Sequence, residues 1–146
     1  HMTKQQFREA DIGELLQMHR GVNAAFRGGL ISHEGLSALA RIKESYVAIQ
    51  NDPRNAIKPC HQHVVNWIDV LSKKEISAGP FFSVIDDGIA FSGIDSNWCK
   101  RKGWAKDNFL KALSEYCHLQ GQPGNARLSE HGTQRNGINP SEKEEE

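Results

Sequence analysis

The chain has 146 residues, which is enough for one domain with a substantial core. Its 18 basic and 18 acidic residues give a formal net charge of zero, so nucleic-acid binding would depend on a local basic patch. Three cysteines do not indicate a disulfide framework, and no apolar run approaches the roughly 18 residues of a membrane span. We therefore expect a cytoplasmic protein that does not enter a membrane.

The first third of the chain predicts two amphipathic helices. Apolar residues recur at near-helical spacing over residues 3–26, where Thr3 with Gln6 fits a capping box, and the glycine pair 28–29 ends the helix. Ser32 fits the N-cap of a second helix. This second helix ends at residues 51–53, because proline disfavours a helical residue before it.

The middle of the chain predicts a third helix and then a β-hairpin. Pro59 suits the first turn of a helix whose apolar stripe continues to about Lys73. Residues 81–85, FFSVI, are aromatic and β-branched and favour a strand. Residues 86–88, Asp-Asp-Gly, indicate a hairpin turn, and residues 89–91 are the expected return strand.

A basic stretch with a central glycine follows the predicted hairpin. Residues 95–114 resemble a helix-turn-helix motif, in which Gly103 takes the place of the turn glycine and Cys99 that of the small residue where the helices touch. Phe109 and Ala112 fall at buried positions of the second helix. The resemblance covers about 20 residues and names no particular family.

Two residues in this stretch depart from the motif. Lys102 stands at a position that is commonly apolar, and Leu110 falls where the second helix usually faces outward.

The resemblance implies that residues 107–116 form a recognition helix. Asn108 would then contact adenine, and Lys106 would reach guanine or phosphate. Residues 98–111 carry five positive side chains and one negative, the local excess that phosphate binding requires. The residues expected to contact nucleic acid are Lys100, Arg101, Lys102, Lys106, Asn108 and Lys111.

Other interpretations of the same residues stay open. The run 100–102 is also typical of a solvated helix end, with Gly103 as an ordinary C-cap. Trp98 and Trp104 flank the cations and would suit stacking on an unpaired base. Without nucleic-acid binding, the chain would be a protein-interaction module, in which helices 3–26 and 32–50 offer a groove or a homodimer surface.

Metal binding and catalysis have weaker support in the sequence. Cys60, His61 and His63 are close in sequence, and the pair 117–118 with His131 would add ligands, but their spacing matches no paired zinc-knuckle pattern. Residues 86–87 form a carboxylate pair that a turn explains better. We therefore expect no metal, no cofactor and no enzymatic activity.

Together these patterns predict a mainly α fold of about five helices with one β-hairpin at residues 81–91. Residues 3–119 form one domain, and residues 120–146 are a polar tail that we expect to be disordered. The expected function is a small nucleic-acid-binding accessory or regulatory domain. Its partner would be DNA or a single-stranded nucleic acid; the alternative is a protein, including a second copy of the chain.

Overall fold

The computed structural model describes residues 12–121, and in this part of the chain helices are joined by turns, with no strand. Residues 12–18 form α1, and two short 3-10 helices, Pro53–Ile57 and Pro59–His61, lie between α3 and α4. The other α-helices are α2 (Arg20–Arg27), α3 (His33–Asn51), α4 (Gln62–Lys73), α5 (Ala78–Ile85), α6 (Phe91–Asn97) and α7 (Trp104–Leu119). The mainly α class is confirmed.

Several helix ends lie where the sequence predicts them. Ser32 caps α3, because its Oγ accepts a hydrogen bond from the Gly35 N–H at 3.0 Å. Gly29 has φ of 83° after α2, and α3 ends at Asn51 before Pro53. The predicted capping box at residues 3–6 and the predicted disorder of residues 122–146 lie outside the described residues.

The predicted hairpin at residues 81–91 is wrong, and the described residues form seven α-helices rather than five. Residues 78–85 are α5, and no strand occurs between residues 12 and 121. The run FFSVI is apolar because α5 is buried on nearly all sides, and a short apolar run does not distinguish a buried helix from a strand. Pro80 in the first turn of α5 was the helical signal.

The predicted first helix is also interrupted. His19 has extended backbone angles and separates α1 from α2. Its Nδ1 accepts a hydrogen bond from the Val22 N–H at 3.1 Å, while its Nε2 lies 2.8 Å from the Ile89 carbonyl oxygen. The ring therefore caps α2 as a neutral imidazole that donates through Nε2.

The core is built around α7, which packs against α3, α4, α5 and α6. Trp67 of α4 is fully buried, and its indole N–H donates to the Ala112 carbonyl oxygen at 2.8 Å. Phe81 of α5 stacks on Phe109 of α7 with ring centroids 4.7 Å apart. Because Ala105 and Ala112 are small and buried, neighbouring helices can approach α7 closely. This packing leaves α7 little free surface.

Lowering the pH should destabilise the fold partly through His19. Burial lowers the pKa of His19 below its ordinary value of 6.5, and protonation of Nδ1 removes the α2 cap. At low pH the unfolded chain therefore binds more protons than the folded chain. The contribution of neutral His19 to the free energy of unfolding is complete above about pH 6.5 and is lost as the pH falls from there through the lower pKa of the folded state.

We expect the urea midpoint to drop less between about pH 7.5 and pH 5.5 in His19→Asn than in the wild type, since asparagine caps without titrating. The residual drop belongs in part to His63, whose pKa burial also lowers. Equal drops in both proteins would contradict this role of His19.

Candidate nucleic-acid interface

The turn between α6 and α7, residues 98–103, is fixed by one buried carboxylate. Asp95 is 7% exposed; its Oδ2 accepts from the Gly103 N–H at 2.9 Å and its Oδ1 from the Ala105 N–H at 2.7 Å. These are N–H groups at the start of α7, which have no partner within the helix. Gly103 has φ of 90°, the left-handed conformation expected of a turn glycine. The basic segment is thus held in one conformation.

Some of the helix-turn-helix positions have the predicted environment and one does not. Phe109 and Ala112 are buried, as expected. Cys99 is exposed with φ of 53°, so the prediction that it lies between touching helices is wrong. The connection from Trp98 to Gly103 is also longer than the 3–4 residues usual between the helices of the motif.

The structure places the expected recognition helix inside the core. Asn108 is 7% exposed, and its side chain is committed to Ser77: Oδ1 accepts from the Ser77 N–H at 3.0 Å and Nδ2 donates to the Ser77 carbonyl at 2.8 Å. Leu110 is 3% exposed. With both amide atoms of Asn108 paired inside the protein, the adenine contact expected of it has no structural basis, and we leave Asn108 out of the interface.

The five basic residues of the stretch lie at or near the surface. Lys100, Arg101, Lys102 and Lys111 are exposed, and Lys106 is half-buried. Arg101 pairs with Asp107 at 3.0 Å. Within residues 12–121, no carboxylate forms an ion pair with any of the four lysines.

The basic residues do not all share one face. Lys106 and Lys111 are five residues apart on α7, which corresponds to roughly 140° around the helix axis. Lys111 lies on the exposed stripe of α7 together with Trp104 and Asp107, whereas Lys106 lies to the other side. Lys106 is therefore separated from Lys111 around the helix.

A surface cleft of about 310 Å³ adjoins the turn. Its cations are Lys74, Arg101 and Lys111, and its carboxylates are Glu75 and Asp107. Lys74 also pairs with Glu115 at 3.0 Å. Ile76, Trp104 and Asn108 complete the lining. Lys111 is thus the cleft cation without a carboxylate partner among the described residues.

Two indoles stand beside these cations. Trp98 is 44% exposed and rests on α5, where a Cβ added to Gly79 would meet its ring at 3.2 Å. Trp98 and Trp104 have centroids 6.4 Å apart and planes inclined by 31°. The ammonium of Lys100 lies 5.1 Å from the Trp104 centroid, a cation–π contact. We name these indoles and the nearby cations the aromatic-basic surface, which consists of Trp98, Lys100, Arg101, Lys102, Trp104 and Lys111.

Sequence reasoning missed Lys74 as part of this region, and it gave Asp95, the first residue of the motif-like stretch, no role. Lys74 reaches the cleft from the end of α4, well before the basic stretch in the sequence, and no local pattern relates the two. Asp95 gave no N-cap signal, because it lies within α6, well before the two N–H groups at the start of α7 that it accepts from.

The histidines considered for zinc have hydroxyl partners instead. Ser45 Oγ lies 2.8 Å from Nδ1 of His61 and 3.0 Å from Nε2 of His63, and Nδ1 of His63 lies 2.8 Å from the Tyr116 hydroxyl. Among residues 12–121, no three histidine, cysteine or acidic side chains are grouped to hold a metal ion. His131 of the predicted set lies outside the described residues.

Comparison with protein-family models, curated proteins and solved structures finds no match for this chain. In the part that the structure describes, no helix has the length and apolar character needed to cross a bilayer.

Removing the Asp95 carboxylate should loosen the turn. We expect Asp95→Ala to lower the free energy of unfolding by about 2 kcal/mol, because two N–H groups at the start of α7 lose a charged acceptor. Ser96→Ala is the matched control, since Ser96 is exposed and adjacent. Urea denaturation measures both, and equal stabilities of the two variants would contradict the role of Asp95.

Proposed function

We propose that this chain is a small nucleic-acid-binding domain that holds the phosphate backbone on the aromatic-basic surface. The carrying observation is charge: Lys100, Lys102 and Lys111 are exposed and have no carboxylate partner within residues 12–121. A cation that is already paired with a carboxylate gains little binding free energy from a phosphate. An unpaired cation that binds a phosphate releases the counterions condensed on the nucleic acid. A neutral chain with several free cations in one region has the local excess that phosphate binding needs.

This proposal does not use α7 to read base pairs. A recognition helix must lay its outer residues in the major groove, and α7 instead packs against four helices with Asn108 and Leu110 buried. Phosphate contacts position a protein without reading sequence. We therefore expect weak sequence preference and strong dependence on salt.

The salt dependence of binding tests the proposal. We expect Lys102→Ala combined with Lys111→Ala to weaken binding at low salt and to reduce the slope of log affinity against log salt by about 1.4–1.8, for two lost phosphate contacts. Fluorescence anisotropy with single-stranded and duplex DNA between roughly 50 and 200 mM salt gives the slope.

Two single variants serve as controls for this titration. Lys58→Ala removes the same charge outside the cleft, on the link between the two 3-10 helices, and should leave the slope unchanged. Lys106→Ala should have a small effect, because Lys106 lies away from Lys111 on α7. No binding of either nucleic acid at low salt would overturn the proposed function.

A second candidate function is self-association through the two 3-10 helices at residues 53–61, called the 3-10 segment. Ile57 is 81% exposed at the end of the first 3-10 helix. The segment is held in place, because Asn55 Nδ2 donates to the Ala48 carbonyl at 2.7 Å and Gln62 Nε2 donates to the Ala56 carbonyl at 2.6 Å. A second copy of the chain would remove this side chain from water at little ordering cost, because its support is already fixed.

The apolar face of α3, by contrast, offers no groove. Leu36, Leu39 and Ile42 are already buried in the core, and Tyr46 stacks on Phe82 with centroids 3.9 Å apart. A homodimer would therefore use the 3-10 segment rather than the second helix.

Light scattering tests this alternative. If a second copy binds at Ile57, the wild type should show a dimer mass that Ile57→Ser reduces to a monomer, while Leu119→Ser, at another exposed apolar residue, keeps the dimer. A wild-type monomer at all concentrations would remove this candidate.

A further inference from the structure

We infer that the cleft beside Trp104 takes one unpaired nucleotide, with its base on the indole and its phosphate at Lys111. This inference rests on the proposed function and names its ligand class: single-stranded rather than duplex nucleic acid. The shared chemistry is an aromatic base joined to a phosphate, which an oligonucleotide and a free mononucleotide both supply. The observations that carry it are the size, lining and charge of the cleft.

The size of the cleft fits one nucleotide unit. Its volume of about 310 Å³ is at the lower end of the ~300–1,000 Å³ of small-molecule sites. Trp104 and Ile76 give the cleft an apolar part, and Lys111 gives it a free cation. The other two cations of the cleft, Lys74 and Arg101, are already paired with carboxylates. Trp104 and Lys111 are therefore the groups left to meet a ligand that is aromatic at one end and anionic at the other.

A base can replace the side chain that now contacts the Trp104 indole. Its cation–π contact is with Lys100, an exposed side chain on a flexible stem. Stacking with a base is worth more than an exposed cation–π contact, so a base can displace the ammonium. The released Lys100 then lies beside the strand as a further phosphate partner.

The carboxylates in the cleft limit how much anion enters. Glu75 and Asp107 line the same space, and Asp107 holds Arg101 while Glu115 holds Lys74. A second phosphate in the cleft would meet these acidic groups. The strand therefore leaves the cleft after one nucleotide and continues past Trp98, Lys100 and Lys102, where Trp98 offers a second stacking surface.

Duplex nucleic acid lacks the group that this cleft accepts. Bases in a duplex are paired and stacked inside the helix, so no base face reaches the Trp104 indole. A duplex can contact the exposed lysines through phosphates alone. The cleft thus predicts a preference for single strands beyond what charge provides.

The test compares oligothymidylate of about 12 nucleotides with a duplex of the same length, using fluorescence anisotropy. The wild type should bind the single strand at least about tenfold more tightly. Trp104→Ala should weaken single-strand binding by about fivefold to 150-fold, the factor for ~1–3 kcal/mol per stacked base at 1.4 kcal/mol per tenfold. The salt slope should stay unchanged, because no phosphate contact is lost.

Matched variants keep the test interpretable if Trp104→Ala is destabilised. Trp104→Phe retains an aromatic face and should recover most of the affinity, and circular dichroism checks that each variant is folded. Lys111→Gln should instead reduce the salt slope by about 0.7. Thymidine monophosphate, added as a competitor, distinguishes a free nucleotide from a strand: displacement of the oligomer at micromolar concentration would assign the cleft to a mononucleotide and overturn the single-strand assignment.

The remaining outcomes separate this inference from the proposed function. Equal affinity for single strand and duplex, with folded Trp104→Ala binding like the wild type, overturns the cleft assignment and leaves phosphate binding intact. No affinity for either nucleic acid overturns the proposed function and the inference together.

Discussion

The burial of α7 is the constraint on which the rest of this structure depends. Four helices pack around it, and Trp67 ties α4 to it through a hydrogen bond to the Ala112 carbonyl at 2.8 Å. A helix surrounded in this way contributes most of its residues to the core and leaves one narrow stripe for solvent. The stripe carries Trp104, Asp107 and Lys111, so these residues decide what α7 can offer to a ligand.

The position of the basic turn follows from the same packing. Asp95 of α6 caps the first turn of α7, and Gly103 takes the left-handed conformation that brings the chain into the helix. The chain between them therefore lies on the surface with its cations outward. Because Lys74 arrives from α4, which also packs on α7, the cleft forms between elements that the core already holds together. The proposed interface would thus be preorganised, which reduces the ordering cost of binding.

Helix ends with local chemical signals could be predicted from the sequence. Ser32, Gly29 and Pro53 mark ends that the structure confirms, because caps and stops depend on neighbouring residues. The break at His19 could not be predicted, since a histidine becomes an N-cap only when a distant carbonyl, that of Ile89, fixes its ring. The strand prediction at residues 81–85 failed for a related reason: burial on nearly all sides removes the periodicity that identifies a helix.

The candidate site likewise has features that the local sequence predicts and features that depend on distant residues. Gly103 and the basic run were visible locally, whereas the burial of Asn108 depends on Ser77 and the entry of Lys74 depends on α4. The motif resemblance described a turn between two helices correctly and the exposure of the second helix incorrectly, because exposure is a property of the whole fold. Because of this long-range packing, the interface that we propose lies on the N-terminal part of the exposed stripe of α7 and not on the groove-facing side of a helix.

Counting reactive thiols in the native protein tests the burial of α7 most directly. Cys117 lies on the buried side of α7, while Cys60 and Cys99 are exposed. A thiol reagent should therefore modify two of the three cysteines rapidly, and mass mapping should find Cys117 unmodified until denaturant is added. Rapid modification of Cys117 in the native protein would contradict the burial of α7, because the side of α7 that carries Cys117 would then be exposed to solvent.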